Sequence, residues 1–210
     1  DLCVRNADDQ RIMRLPLPKG VRTLEFGEDP HTQIRILSAH INIEQLSTEI
    51  SLHTPKGALN VSISSPGLHL ASNVASAVGI ALDQGCSIPE IKRGIEAYKP
   101  VGARLRVEQG PFGTRLLNDA YNANPLSMRA SVQTLSQLKG HTRIALLGDM
   151  LELGDQAQEA HTELLRFILS LPIEKVGVCG SFFAKSAENL ILESPQQYQH
   201  LFFAENSTLL

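Results

Sequence analysis

The chain has 210 residues, and 19 Lys and Arg against 22 Asp and Glu leave a formal charge of −3, without the basic excess of a nucleic-acid-binding surface. Hydrophobic residues make up 42%, which excludes wholesale disorder, and the lack of Trp with only 5% aromatics predicts an aliphatic core. No apolar run approaches the ~20 residues of a membrane span, the start DLCVRNADDQ is unlike a signal peptide, and three scattered cysteines (Cys3, Cys86, Cys179) argue against a disulfide framework or zinc site, so a cytoplasmic protein is expected.

From about residue 21 to 64 the pattern suits strands. Ile34, Ile36 and Leu37 form one short apolar stretch, while Ile50, Leu52, Leu59, Val61 and Ile63 alternate with polar neighbours. Thr54-Pro55-Lys56-Gly57 reads as a hairpin turn, since proline presets φ and glycine accepts a positive one. One apolar and one polar face predict an antiparallel sheet packed on one side. Leu70, Val74, Ala77, Val78 and Ala81 then recur at helical spacing between Gly67 and Gln84, in a helix whose small residues allow close approach. A second helix is predicted from Ile88 to about Tyr98, with Ser87 and Glu90 as a capping box and Ile88, Ile91 and Ile95 as its stripe. Pro100-Val101-Gly102-Ala103 reads as a linker, which divides the chain into 1–102 and 103–210.

The second part alternates strand and helix. Leu116-Leu117 leads into Asn118-Asp119, and Asn124 followed by Pro125 starts a helix through Met128, Val132, Leu135 and Leu138, with Gly140 as its stop. The stretch Arg143–Leu147 is a strand, followed by a helix lined by Ala157, Ala160, Leu164, Ile168 and Leu171 and ended by Pro172. Val176–Cys179 is a strand, Ser181 a cap for a helix through Phe183, Ala187 and Ile191, and Leu201-Phe202-Phe203 the start of a last strand. Strands buried on both faces and separated by helices predict an α/β fold with a doubly wound, mostly parallel sheet.

Ligands of such a sheet bind beyond the carboxyl ends of its strands. Three ends are visible: Asn118 to Asn124, Gly148 to Gly154, and Gly180-Ser181, all expected along one edge. The first is the densest polar cluster and opens a helix, whose free N–H groups suit an anion. Asn124 alone could be a cap, but one cap does not need five polar residues. No G-x-x-x-x-G-K-S/T loop, G-x-G-x-x-G, H-E-x-x-H or G-x-S-x-G occurs.

Asp119-Ala120-Tyr121-Asn122-Ala123-Asn124-Pro125-Leu126-Ser127-Met128 resembles the D-S-Y-N-A-N-P-x-S-M segment of one branch of the Mur ligase family, the branch that adds D-alanyl-D-alanine. Leu147-Gly148-Asp149-Met150-Leu151-Glu152-Leu153-Gly154 with His161, Pro66-Gly67-Leu68-His69-Leu70-Ala71-Ser72-Asn73, Arg104-Leu105, Asn6-Ala7-Asp8-Asp9 and Phe26-Gly27 are similar to further family segments. The resemblance implies a chain that starts after a P-loop and stops before the family's final segment. Residues 1–102 would be the later part of a central ATP-binding domain, a Mur ligase element of antiparallel strands plus helices, and residues 103–210 most of the C-terminal Rossmann-like domain.

The implied reaction is ATP-dependent amide formation through an acyl phosphate, joining D-alanyl-D-alanine to UDP-N-acetylmuramoyl-tripeptide in peptidoglycan precursor synthesis. Magnesium would offset phosphate charge, with ligands mainly outside this chain, and closure about Pro100–Arg104 would exclude water. A monomer is implied, and this chain alone would be inactive, with no catalytic residue of its own. For ATP the resemblance implies Asn73 at the adenine with His69 beside it, Arg104 at the phosphates or ribose, and Asp119 at the ribose hydroxyls. Arg106 lies two residues on and is the alternative to Arg104. Leu70 departs from the family's usual asparagine, and Ala103 intervenes between Gly102 and Arg104 where the family has glycine directly before the arginine. Tyr121, Asn122 and Asn124 would face the dipeptide. Asp149 and Glu152 would orient its amine or be loop charges, and His161 would be structural. A sister Mur ligase, a folylpolyglutamate synthetase-like ligase and a non-catalytic nucleotide- or peptide-binding module are the alternatives.

Overall fold

The computed structural model describes residues 1–138 and 142–206. The chain divides into two compact units, Asp1–Val101 and Gly102–Leu210.

In the first unit five strands form one sheet in chain order: β1 (Leu2–Asn6), β2 (Arg22–Gly27), β3 (Ile34–Asn42), β4 (Ser47–Thr54) and β5 (Gly57–Ile63), with the short helix α1 (Gln10–Met13) after β1. The expected antiparallel pairing holds for β3, β4 and β5, but β1–β2 and β2–β3 are parallel, so the sheet is mixed. Thr54 pairs with Gly57 around Pro55-Lys56, and the Thr54 hydroxyl donates to the Gly57 carbonyl at 2.7 Å. The register of β3 on β4 slips between Ile36 and Ser38. Leu37 is therefore the extra residue of a bulge, half exposed rather than in the core where the apolar stretch suggested it.

Helix α2 (Leu70–Asp83) covers this sheet with Ala71, Val74, Ala75, Val78 and Gly79. That is the i, i+3, i+4, i+7, i+8 stripe of an amphipathic helix, and it leaves Ala77 exposed, against the expected stripe. At Gly79 the helix approaches β2 so closely that a Cβ would lie 2.7 Å from the Leu24 Cδ2. Helix α3 (Ile88–Glu96) adds Ile91 to the core. The Ser87 N–H and hydroxyl both donate to Glu90, at 2.8 and 2.6 Å, and these bonds hold the Glu90 carboxyl below its ordinary pKa. The opposite face of β3–β5 is polar: Ser38 opposes Ser51, His40 opposes Glu49, and Ser51 opposes Asn60.

In the second unit β6 (Arg106–Gln109) and β7 (Arg115–Asn118) form an antiparallel ribbon. Helix α4 (Pro125–Gln137) follows, then β8 (Ile144–Gly148), α5 (Ala157–Leu169), β9 (Lys175–Cys179), α6 (Ser181–Glu193) and β10 (Leu201–Ala204). The expected helix stop at Gly140 lies outside the described residues. Strands β8, β9 and β10 are parallel, in the order β10-β9-β8. Met128 and Val132 of α4, Leu164, Leu165 and Ile168 of α5, and Phe183, Ala187 and Leu190 of α6 join one core with Ala145, Val176, Val178 and Leu201.

Two expectations for this unit are corrected. Strand β7 bonds to β6 and not to the parallel sheet, so the three strand ends do not belong to one sheet. The parallel strands are also not buried on both faces. Leu146 is 74% and Phe202 51% exposed, and both lie in register with Gly177 on the face turned away from the helical core.

Candidate active site

Two strand ends of the second unit carry an aspartate, and the fold uses the two differently. Asp119 follows β7 and is half-buried. Its Oδ1 accepts the Leu105 N–H at 3.0 Å, and its Oδ2 accepts the Ser131 hydroxyl of α4. Leu105 has φ +48, a conformation rare for a branched side chain, and is only 4% exposed. The carboxylate and the burial of Leu105 together hold that turn. The Tyr121 N–H donates to the Ala103 carbonyl at 3.0 Å, tying the same two segments a second time. Between these ties the Arg104 guanidinium carbon sits 4.2 Å from the centroid of the Tyr121 ring.

Asn122 follows, exposed. Asn124 is the N-cap of α4: its Oδ1 accepts the Leu126 and Ser127 N–H groups at 3.1 and 2.9 Å. The Ser127 hydroxyl accepts the Asn124 N–H at 3.2 Å, which completes a reciprocal cap with Pro125 at the first helical position. The Asn124 carbonyl oxygen is thus spent on its own helix, and its amide donors are what it can offer a ligand.

Asp149 follows β8 and is turned inward. Its two oxygens accept the Phe182 and Phe183 N–H groups at 3.0 and 2.9 Å, so this carboxylate caps α6 from a distant part of the chain. Gly180, with φ +112, is the position before that helix, and a Cβ there would collide with the Asp149 carboxylate. The expected cap, Ser181, is instead the first helical residue. His161 seals the cluster. It is fully buried, its Nε2 accepts the Met150 N–H at 2.8 Å, and its Nδ1 lies 2.6 Å from the Ala157 carbonyl. Nδ1 therefore carries the proton. The Phe182 and Phe183 rings pack on the imidazole at centroid distances of 5.2 and 4.7 Å. Glu152 is exposed with φ +63 in the loop that follows.

In the first unit His69 is the N-cap of α2, without a side-chain capping bond, and Asn73 lies exposed in its first turn. The entry to that helix is anchored by Thr48, which is fully buried on β4. Its hydroxyl donates to the Ser65 carbonyl at 2.7 Å and accepts the Gly67 N–H at 2.8 Å. Thr48 and Ser131 were not legible as supports, because each acts on a residue more than ten positions away. Among the described residues no three His, Cys, Asp or Glu side chains gather as a metal site. No helix is long and apolar enough to cross a membrane, among the described residues.

The parallel sheet with its helices and the polar strand end at Asp119 form an α/β domain whose residues 103–207 match the model of the Mur ligase, glutamate ligase domain, and the chain belongs to the Mur ligase family. Among its relatives is the UDP-N-acetylmuramoyl-tripeptide–D-alanyl-D-alanine ligase of Escherichia coli, 33% identical over 175 residues, which cover 83% of this chain and 38% of that protein. The ligase of the same name from Mycobacterium tuberculosis is 28% identical over 185 residues, 85% of this chain and 36% of that protein. A crystal structure of MurF from Acinetobacter baumannii superposes with a TM-score of 0.79 at 25% identity, covering 96% of this chain and 42% of that one. The chain thus spans about two-fifths of the length of these relatives.

Proposed function

We propose that this chain is part of an ATP-dependent amide ligase that adds D-alanyl-D-alanine to UDP-N-acetylmuramoyl-tripeptide in peptidoglycan precursor synthesis. The observation that carries the reading is the Tyr121-Asn122-Ala123-Asn124-Pro125 segment at the start of α4, whose Tyr121, Asn122 and Asn124 stand exposed beside Asp119 and Arg104. The names of its relatives support it. Amide formation from a carboxylate requires that its oxygen be made a leaving group, and ATP supplies that by phosphorylation. The amine of the dipeptide then attacks the acyl phosphate, which must be kept from water.

This chain's residues fit parts of that task. Arg104 presents guanidinium N–H donors with no carboxylate within ion-pair distance among the described residues, a match for a phosphate group. Each Asp119 oxygen keeps a lone pair beyond its internal bond, so the carboxylate can still accept from a vicinal diol. Asn122 offers a donor pair and an acceptor, the complement of a peptide unit. In this reading residues 1–102 are the later part of a central nucleotide-binding domain. His69 and Asn73 serve the adenine there, and magnesium is held mainly by residues beyond this chain. The enzyme acts in the cytoplasm as a monomer. Asp149 has both oxygens engaged by α6 and is the weakest of the expected dipeptide contacts.

The test is acceptor preference. The full-length protein is given ATP, UDP-N-acetylmuramoyl-tripeptide and either D-alanyl-D-alanine or single amino acids, and ADP release is followed. Release that depends on the dipeptide is expected. Preference for a single amino acid would assign the chain to a sister ligase.

A further inference from the structure

The stack of Arg104 on Tyr121 has a consequence for what that tyrosine does. Tyr121 stands in the segment expected to face the dipeptide, yet it is 63% exposed and contributes to neither core cluster. Its backbone is fixed by the bond from its N–H to the Ala103 carbonyl. Two residues earlier the Asp119 carboxylate accepts the Leu105 N–H and ties the same two segments. Gly102 completes the enclosure: its φ is +64, and a Cβ there would lie 3.5 Å from the Tyr121 ring. Hydrogen bonds at Ala103 and Leu105 flank Arg104, one residue to each side, and the guanidinium lies over the ring face at 4.2 Å.

A guanidinium has two kinds of surface. Its flat face is weakly hydrated and is attracted to the negative face of an aromatic ring, while its N–H edge donates hydrogen bonds in the plane. With the face taken by Tyr121 and no carboxylate paired with it among the described residues, the edge of Arg104 is unspent. An arginine on an open surface otherwise samples many rotamers, and holding it in one lowers the cost of binding an anion.

We infer that Tyr121 is a positioning residue for Arg104: its ring holds the guanidinium edge-out toward an anionic group of the nucleotide, and the dipeptide is not its ligand. The inference rests on the proposed ATP-dependent reaction, and it deepens that reading by giving Tyr121 to the phosphate side of the site.

Two measurements test it. On the chain itself, NMR of the Arg104 side-chain methylenes reads the ring current of Tyr121. Upfield shifts are expected in the wild type and in Tyr121→Phe, and are lost in Tyr121→Leu. Absence of the shift in the wild type overturns the inference. In the full-length protein, Tyr121→Leu is expected to raise the KM for ATP about two- to five-fold, the worth of an exposed cation–π contact. The KM for D-alanyl-D-alanine stays unchanged, and Tyr121→Phe restores the ATP value. In an Arg104→Ala background, Tyr121→Leu adds no further rise. A dipeptide KM that climbs while the ATP KM holds, or an effect of Tyr121→Leu that persists without Arg104, overturns the positioning role. A wild-type protein that forms no amide with the dipeptide overturns instead the reaction on which the role rests, and the NMR shift still reports whether the stack exists.

Discussion

Asp119 and Asp149 occupy equivalent places, each just past a strand of the second unit, and each accepts two internal hydrogen bonds. Around Asp149 those bonds are enclosed by a fully buried histidine, two phenylalanine rings and a glycine with no room for a side chain. Around Asp119 they are bordered by Arg104, Tyr121 and Asn122, all exposed. A strand-end carboxylate is therefore not a site by position alone. Where its neighbours are apolar and packed it is a bolt, and where they are polar and open it can be both bolt and ligand.

The contrast is sharpest where the packing is tightest. Gly180→Ala forces a side chain onto Asp149 at a φ that only glycine adopts easily, and a loss of about 3 kcal/mol or more is expected in urea unfolding. His161→Ala leaves the Met150 N–H without its acceptor and opens a cavity beside Phe183, for a loss of about 3 kcal/mol by the same measurement. On the Asp119 side the largest single structural loss is smaller. Asn124→Ala removes one exposed helix cap and is expected to cost about 1 kcal/mol in thermal unfolding.

The smallest effect lies away from both aspartates, where Arg143 makes two side-chain bonds to Glu174 at the entry to β8, at 3.1 and 2.6 Å. The Arg143 side chain, and then its backbone N–H, hold the Glu174 carboxyl down from 4.5 to about 2. A lowered carboxyl stabilises the fold above its unfolded value, and that contribution fades as pH falls through the folded one. Melting temperatures of wild type and Glu174→Gln should therefore differ slightly at neutral pH and converge between about pH 4.5 and 2. A gap that widens on acidification would contradict this sign.

What could be read from the sequence was local. The turn at Pro55-Lys56, the Ser87–Glu90 cap and the Asn124-Pro125 helix start each depend on residues within four positions of one another. The alternation of strand and helix was enough to foresee the parallel sheet of β8, β9 and β10, but the partners of β1 and β7 were not legible. Nothing in Leu2–Asn6 announces a parallel partner in β2, and nothing in β7 says that it bonds to β6 rather than to the parallel sheet. The same limit governs the site. The polar cluster at Asp119 was visible as composition, but its clamp on Leu105 and Ser131 spans 14 and 12 positions. The role of Asp149 was hidden because the helix it caps begins more than thirty residues later.

The most direct test of the difference between the two aspartates is the KM for ATP of the full-length protein carrying Asp119→Ala or Asp149→Ala, measured below the melting temperature of both. Loss of a charged hydrogen-bonding partner to the nucleotide should raise it about ten-fold or more for Asp119→Ala, while Asp149→Ala, less stable though it is, should stay within about two-fold of wild type. Equal changes in the two variants, or a rise confined to Asp149→Ala, would contradict the assignment of the site to the Asp119 strand end.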